Sequence, residues 1–291
     1  MTHPLRIVDV FAEAPREGNQ LALVLDAGDL TTDQMQSIAA EMNFSETTFV
    51  TGRGPREGGY DVRIFTPAAE LPFAGHPTLG TAWTIRNEWA GAAELITLNL
   101  GVGTVSVRFE VQADASAMPW LTAPPITLGD TFDHAAIAAQ LGLEAVDLDA
   151  RFPVQRIEAG IVVTTVPVRT LEALRRSQLQ AGFSELVSQP FAAAHLFCPE
   201  PYSKENDFAA RFFFEATGPR EDPATGSATA CLGAYLLEHE WFKSRELSLR
   251  IEQGMEINRP SLLHLRGRER DGERVIEVGG RVIPTVRGEL L

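Results

Sequence analysis

The 291-residue sequence has few cysteines and no long apolar run. Two cysteines, Cys198 and Cys231, are too few for a disulfide framework and fit a reducing compartment. No stretch approaches the roughly 20 apolar residues that span a bilayer, and the start MTHPLRIVDVF lacks the layout of a signal peptide. We therefore expect a soluble cytoplasmic protein that does not bind membranes.

Basic residues are also in short supply. The chain has 25 Lys and Arg against 39 Asp and Glu, which gives a formal net charge of −14. Nucleic acids and anionic membranes bind basic surfaces, so we expect neither as a partner. A locally positive pocket for a small anion is still compatible with this total.

Motifs that bind nucleotides or metals are missing as well. There is no P-loop and no G-x-G-x-x-G fingerprint, and Ser227 lacks the G-x-S-x-G elbow of a hydrolase nucleophile. Five histidines are scattered without the spacing of zinc ligands: His3, His134, His195, His239 and His264. We therefore expect no cofactor and no metal.

What the sequence does contain is many short β-branched and aromatic segments and few helical patterns, which predicts an α+β fold. The segment TTDQMQSIAAEM predicts a helix, with Thr31 and Gln34 at capping-box spacing. The stretch MPWLTAPPITLGD (residues 118–130) has three prolines and no clear period. It predicts a boundary between lobes 1–120 and 121–291, with the option that the last strands pack back on the first lobe.

Two distant stretches repeat one pattern. FTPAAELPFAGHPTLGTAW and FFFEATGPREDPATGSATACLGAY each have an aromatic strand, an acidic loop with proline, a glycine–polar pair and a helix of small residues. Gly75 and His76 match Gly226 and Ser227, both 151 residues further on. The repeat predicts two similar lobes with a cleft between them.

Each glycine–polar pair is expected at the start of a buried helix. Pro77 suits a first helical turn, so His76 is the expected N-cap, and Ser227 is also an N-cap residue type. Neither helix has a polar face in its first turns, which is typical of a helix enclosed by strands. The free N–H groups at such starts bind anions, so we expect them to hold a substrate carboxylate. Ordinary capped helix starts are the alternative.

An acidic residue, Glu46, lies in the strand-like segment NFSETTFV on the same face as Phe44, Thr48 and Val50. Burial on this apolar face would raise the pKa of its carboxyl toward neutrality and suit it to proton transfer. A solvated glutamate on an edge strand is the alternative.

Two further polar residues are candidates for the site. Asp222, just before Pro223, is expected to orient His76 or a substrate amine or hydroxyl, and a turn-forming acid is the alternative. The pair Gly18–Asn19 is typical of a turn, which is one interpretation of Asn19. The side-chain amide of Asn19 is also a candidate substrate contact.

The segments NFSETTF, FTPAAELPFAGHPTLGTA and EDPATGSA, in this order, resemble the PhzF-like family of phenazine biosynthesis. The first and last segments, IVDVFAEAPREGNQLALV and VGGRVIPTVRGEL, are similar to that family too, so the resemblance covers nearly the whole chain. It implies a diaminopimelate-epimerase-like fold of two similar lobes, each a sheet wrapped around a central helix, often as a homodimer. The resemblance implies three catalytic residues, Glu46, His76 and Asp222, and three binding residues, Gly75, Gly226 and Ser227.

The resemblance also implies a reaction. Phenazine-forming members isomerise trans-2,3-dihydro-3-hydroxyanthranilate without a cofactor, by moving a proton between carbons. We therefore expect an isomerase of a small carboxylate with Glu46 as general acid and base. Two alternatives stay open: a cofactor-independent epimerase of an amino or hydroxy acid, and a non-catalytic module that binds small acids.

The cysteines argue against one kind of epimerase. Related racemases use one cysteine thiolate at each helix start, where this sequence has His76 and Ser227. Cys231 lies a turn further along its helix, and Cys198 lies in a strand-like segment. Both are expected to be buried small apolar residues, so a two-thiol racemase is not expected.

Overall fold

The computed structural model describes residues 2–190, 192–215 and 219–291. The strands are β1 (His3–Val10), β2 (Asn19–Val24), β3 (Glu46–Val50), β4 (Tyr60–Phe65), β5 (Glu70–Leu71), β6 (Leu95–Leu100), β7 (Gly103–Val111), β8 (Ala117–Thr122), β9 (Thr127–Phe132), β10 (Val154–Glu158), β11 (Val162–Pro167), β12 (Ala193–Cys198), β13 (Phe208–Glu215), β14 (Pro219–Asp222), β15 (Glu246–Gln253), β16 (Ser261–Arg270), β17 (Glu273–Gly279) and β18 (Val282–Leu290). The α-helices are α1 (Thr32–Met42), α2 (Gly75–Ile85), α3 (His134–Gln140), α4 (Leu171–Arg176), α5 (Phe183–Leu186) and α6 (Gly226–Glu238). None of the helices in these residues is long and apolar enough to cross a membrane.

The chain forms two compact units. The first combines the residues up to Thr122 with Gly279–Leu291, and the second is Ala123–Val278. The last strand belongs to the first unit because β18 pairs antiparallel with β1. The division into lobes 1–120 and 121–291 as separate domains stays a prediction.

The stretch without a clear period, residues 118–130, contains most of β8 and the beginning of β9. Pro119 lies opposite Phe109 in the antiparallel ladder between β7 and β8. Proline has no N–H to donate to a ladder, so it weakens the sequence signal of a strand even where a strand forms.

In the first unit, strands pack around helix α2. Nine of its eleven residues are buried, and it contacts β1, β2, β3, β6 and β8. A Cβ at Gly80 would lie 2.7 Å from Leu21 Cδ2 and 2.9 Å from Val10 Cγ2, so the missing side chain lets β1 and β2 approach the helix. Helix α1 packs Met35 and Ala39 against Phe49 in a separate apolar cluster.

The second unit has the same plan around helix α6. All but two of its thirteen residues are buried, and it packs on β10, β11, β15 and β16. A further cluster joins Ile137 of α3, Leu174 of α4 and Phe183 of α5 to Leu196 and Phe213 of the strands. The predicted fold class, α+β with a buried central helix in each lobe, is confirmed.

Candidate active site

Helix α2 begins at Gly75, with Ala74 in extended conformation as its N-cap. His76 is the second helical residue, so the prediction that His76 caps the helix is wrong. Pro77 is the third, a position whose missing N–H has no partner within the helix anyway. No side chain of the cap bonds to the first turn. This helix start therefore has no side-chain cap.

Helix α6 also begins two residues earlier than expected, at Gly226, with Thr225 as its N-cap. Ser227 is the second helical residue and not the cap. Threonine is a capping residue type, but the Thr225 hydroxyl makes no bond to the first turn. It donates a hydrogen bond to Asp222 Oδ2 at 2.6 Å instead. A second helix start is thus left without a side-chain cap, in a form suited to an anion.

Glu46 is the first residue of β3, which lies between β2 and β4. The alternative of an edge-strand glutamate is therefore wrong. Alternation places Glu46 and Thr48 on one face, and the Thr48 hydroxyl lies 2.9 Å from the Thr81 hydroxyl of α2. The Glu46 side chain, 15% exposed, thus lies on the face that meets α2.

The strand does not extend back to Phe44, as the alternation pattern had predicted. Helix α1 ends at Met42, and its C-cap residue Asn43 has a left-handed φ of 54°. The chain must turn after this cap before it can join the sheet, so Phe44 lies outside β3. Glu46 therefore stands where the turn enters the strand.

His76 lies against Glu46. Its Nε2 is 3.5 Å from Glu46 Oε2, and its side chain is 6% exposed. Burial lowers the pKa of His76 to about 3, although a backbone hydrogen bond with Gln20 acts in the opposite direction. The imidazole is therefore neutral near pH 7, and its contact with Glu46 is not an ion pair.

Asn19 supports the other side of the imidazole. Its Nδ2 lies 3.4 Å from His76 Nδ1, and the residue is fully buried at the start of β2. Gly18 just before it has a φ of +66°, and a Cβ there would lie 2.3 Å from the Val10 carbonyl oxygen. Only glycine fits this turn, which carries Asn19 to His76.

Asp222 ends β14, opposite Phe212 of β13. Its carboxylate accepts a hydrogen bond from the Thr225 hydroxyl, and its backbone carbonyl accepts one from Gln253 Nε2 at 2.9 Å. Gln253 was not predicted as part of the site, since it lies 31 residues from Asp222 and outside any local motif.

The structure thus assembles the predicted residues in two groups. Glu46, His76, Gly75 and Asn19 lie together in the first unit, and Asp222, Gly226 and Ser227 lie around the start of α6 in the second. A shared cleft for both groups stays a prediction, as do the catalytic roles. Among residues 2–190, 192–215 and 219–291, no three His, Cys, Asp or Glu side chains are arranged to hold a metal ion.

Neither cysteine is among the first residues of a helix. Cys198 in β12 and Cys231 in the interior of α6 are fully buried, and burial raises the pKa of each thiol to about 12. The prediction that both are buried small residues is confirmed. Neither forms a reactive thiolate near neutral pH.

Comparison with known proteins gives consistent matches over the whole chain. A family model described as "Phenazine biosynthesis-like protein" matches residues 8–288. An uncharacterized isomerase of Mesorhizobium japonicum is 35% identical, over 98% of this chain and 97% of its own. The trans-2,3-dihydro-3-hydroxyanthranilate isomerase of Pseudomonas aeruginosa is 36% identical, over 96% of this chain and 95% of its own.

A solved structure agrees with these matches. The PhzF-family phenazine biosynthesis protein of Bacillus anthracis is 28% identical and superimposes with a TM-score of 0.92, over 100% of this chain and 99% of its own. The names of the relatives agree with the predicted enzyme class, an isomerase. The chain belongs to the PhzF-like family of phenazine biosynthesis-like proteins.

Proposed function

We propose that this protein isomerises a small carboxylate by moving a proton between two of its carbons, with Glu46 as the general acid and base. The observation that supports this most strongly is the contact between the Glu46 carboxyl and a buried, neutral His76 at 3.5 Å. A carboxyl group on the inner face of a sheet, beside a polar partner of no charge, is suited to giving and taking a proton.

His76 has a different role in this proposal. With a pKa of about 3, it is too weak a base to store the migrating proton near pH 7. A neutral imidazole can still donate one hydrogen bond and accept another. With Asn19 at its Nδ1, His76 orients the substrate and the Glu46 carboxyl through its Nε2.

The substrate carboxylate is proposed to bind at an uncapped helix start. The N-terminus of a helix carries about half a positive charge, and α2 and α6 both begin without a side-chain cap. Gly75 and Gly226 open both helices, so an anion can approach the backbone closely. Asp222, which accepts hydrogen bonds through its carboxylate, is proposed to bind an amine or hydroxyl of the substrate.

The proposed reaction moves only a proton and an electron pair within the substrate, so its atoms and electrons balance without a cofactor. Glu46 removes a proton from one carbon, and the electron pair is delocalised over the adjoining double bonds. The protonated Glu46 then returns the proton to a different carbon, so the product is an isomer with a shifted double bond. Trans-2,3-dihydro-3-hydroxyanthranilate, the substrate named for the Pseudomonas aeruginosa relative, is the proposed substrate or a close analogue of it.

Proton NMR of the purified protein with this compound in D2O tests the proposal. We expect an isomerised product that carries deuterium at the carbon that receives the proton. Exchange that only inverts a stereocentre would favour an epimerase and contradict the proposal. Saturable binding without exchange would favour a binding module. The homodimer implied by the family resemblance stays a proposal, which light scattering of the purified protein checks.

A further inference from the structure

Gln253, the last residue of β15, is fully buried, and both the nitrogen and the oxygen of its side-chain amide form hydrogen bonds to one loop. Its Nε2 donates to the Asp222 carbonyl at 2.9 Å and to the Thr225 hydroxyl at 3.2 Å. Its Oε1 accepts from the Thr225 backbone N–H at 3.3 Å. One amide therefore ties together both ends of the short connection from β14 to α6.

A buried amide is costly unless its donors and acceptor are all used. Leucine or methionine at this position would leave the Asp222 carbonyl and the Thr225 N–H without these bonds. The hydrogen bonds of Gln253 therefore indicate that this residue holds Asp222 and Thr225 in a defined geometry, in addition to filling space.

The Thr225 hydroxyl is the second part of the arrangement. As N-cap residue of α6 it would ordinarily accept an N–H of the first turn. Here it accepts from Gln253 and donates to Asp222 Oδ2 at 2.6 Å, and it makes no bond to the first turn. The chain of bonds thus runs from the Gln253 amide through the Thr225 hydroxyl to the Asp222 carboxylate.

We propose that Gln253 and Thr225 are positioning residues that fix the Asp222 carboxylate and keep the Thr225 hydroxyl away from the start of α6. The inference rests on the proposed function, in which Asp222 binds a substrate amine or hydroxyl and the helix starts bind the carboxylate. The proposal also gives these two residues a role in specificity. Their hydrogen bonds hold Asp222 where it binds the substrate amine or hydroxyl, and they leave the carboxylate site at the helix start open.

Thr225→Val tests the central bond, since it keeps the shape of the side chain and removes the hydroxyl. Calorimetry would compare its binding of 3-hydroxyanthranilate, which carries an amine and a hydroxyl, with that of benzoate, which carries only the carboxylate. We expect Thr225→Val to bind 3-hydroxyanthranilate about tenfold more weakly and benzoate as well as the wild type does. Thr225→Ser, which restores the hydroxyl, should recover affinity for 3-hydroxyanthranilate.

Gln253→Met tests the other end of the chain and should show the same selective loss. Gln155→Met is its matched control, since Gln155 is also a buried amide, bonded to Gly129 and His239, outside this loop. It should lower the melting temperature without changing the ratio of the two affinities.

Three results would overturn the proposal. They are unchanged affinity for 3-hydroxyanthranilate in Thr225→Val, an equal loss for both acids, and a Thr225→Ser variant as impaired as Thr225→Val. A wild type that binds both acids but does not isomerise the dihydro compound would refute the proposed reaction, while the affinity ratio would still decide the positioning role. A wild type that binds neither acid would refute both.

Discussion

Acidification should destabilise the fold through two buried histidines, His76 and His195. Burial lowers the pKa of His76 to about 3 and that of His195 to about 4. A histidine in the unfolded chain titrates near 6.5. As the pH falls below about 6.5, these histidines bind protons in the unfolded chain but not in the folded chain, so the free energy of unfolding falls.

The size of this loss follows from the two pKa differences. Between pH 7 and pH 5 each unfolded imidazole takes up most of a proton, while each folded one stays neutral. Each histidine then removes about 2 kcal/mol from the free energy of unfolding, and both together remove about 4 kcal/mol. Carboxyl groups with lowered pKa values, such as Glu88 and Asp149, act mainly below about pH 4.5 and add little over this interval.

Urea unfolding at pH 7 and pH 5 measures this loss directly. The variant His195→Leu should lose about 2 kcal/mol less stability than the wild type over that interval. Phe183→Leu, which changes a buried side chain that does not titrate, should lose as much over that interval as the wild type does. An equal loss in His195→Leu and the wild type would refute the assignment of the pH dependence to buried histidines.

Three further variants or probes test the packing. Arg211, 7% exposed, pairs with Glu221 and donates to three carbonyls near the end of α4. Arg211→Met should therefore lower the free energy of unfolding by about 3 kcal/mol or more. Arg245→Met, at an exposed ion pair, is the control and should change it by less than about 1 kcal/mol. Gly80→Ala should lower it by about 1–3 kcal/mol because the Cβ would meet Leu21 and Val10, and Gly52→Ala, with nothing within 4 Å, should not. Cys198 and Cys231 should react with a thiol reagent at pH 8 only after unfolding, and reaction of the native protein would contradict their burial.

The sequence predicted those features that depend on local pattern. The central helices were recognisable because they are apolar on all faces, and the capping box of Thr31 and Gln34 forms as expected. The helix starts were misplaced by two residues, because Gly75 and Gly226 were taken as the residues before the cap when they are the first helical residues. Glycine favours both situations, so composition alone does not separate them.

The contacts that position the candidate site could not be predicted. Asn19 lies 57 residues from His76, and Gln253 lies 28 residues from Thr225. Such contacts depend on the register of strands distant in sequence, which a single sequence does not reveal. The face of Glu46 was predictable from alternation, whereas its place beside His76 depends on the packing of β3 against α2.

The role of Glu46 is tested most directly by hydrogen exchange of the substrate in D2O. Glu46→Gln keeps the shape of the side chain but cannot transfer the proton, so we expect exchange and isomerisation of trans-2,3-dihydro-3-hydroxyanthranilate to fall by about a thousandfold. Binding of 3-hydroxyanthranilate should persist, and Glu41→Gln, at an exposed position on α1, should retain full activity. Undiminished exchange in Glu46→Gln would contradict the proposal that Glu46 moves the proton.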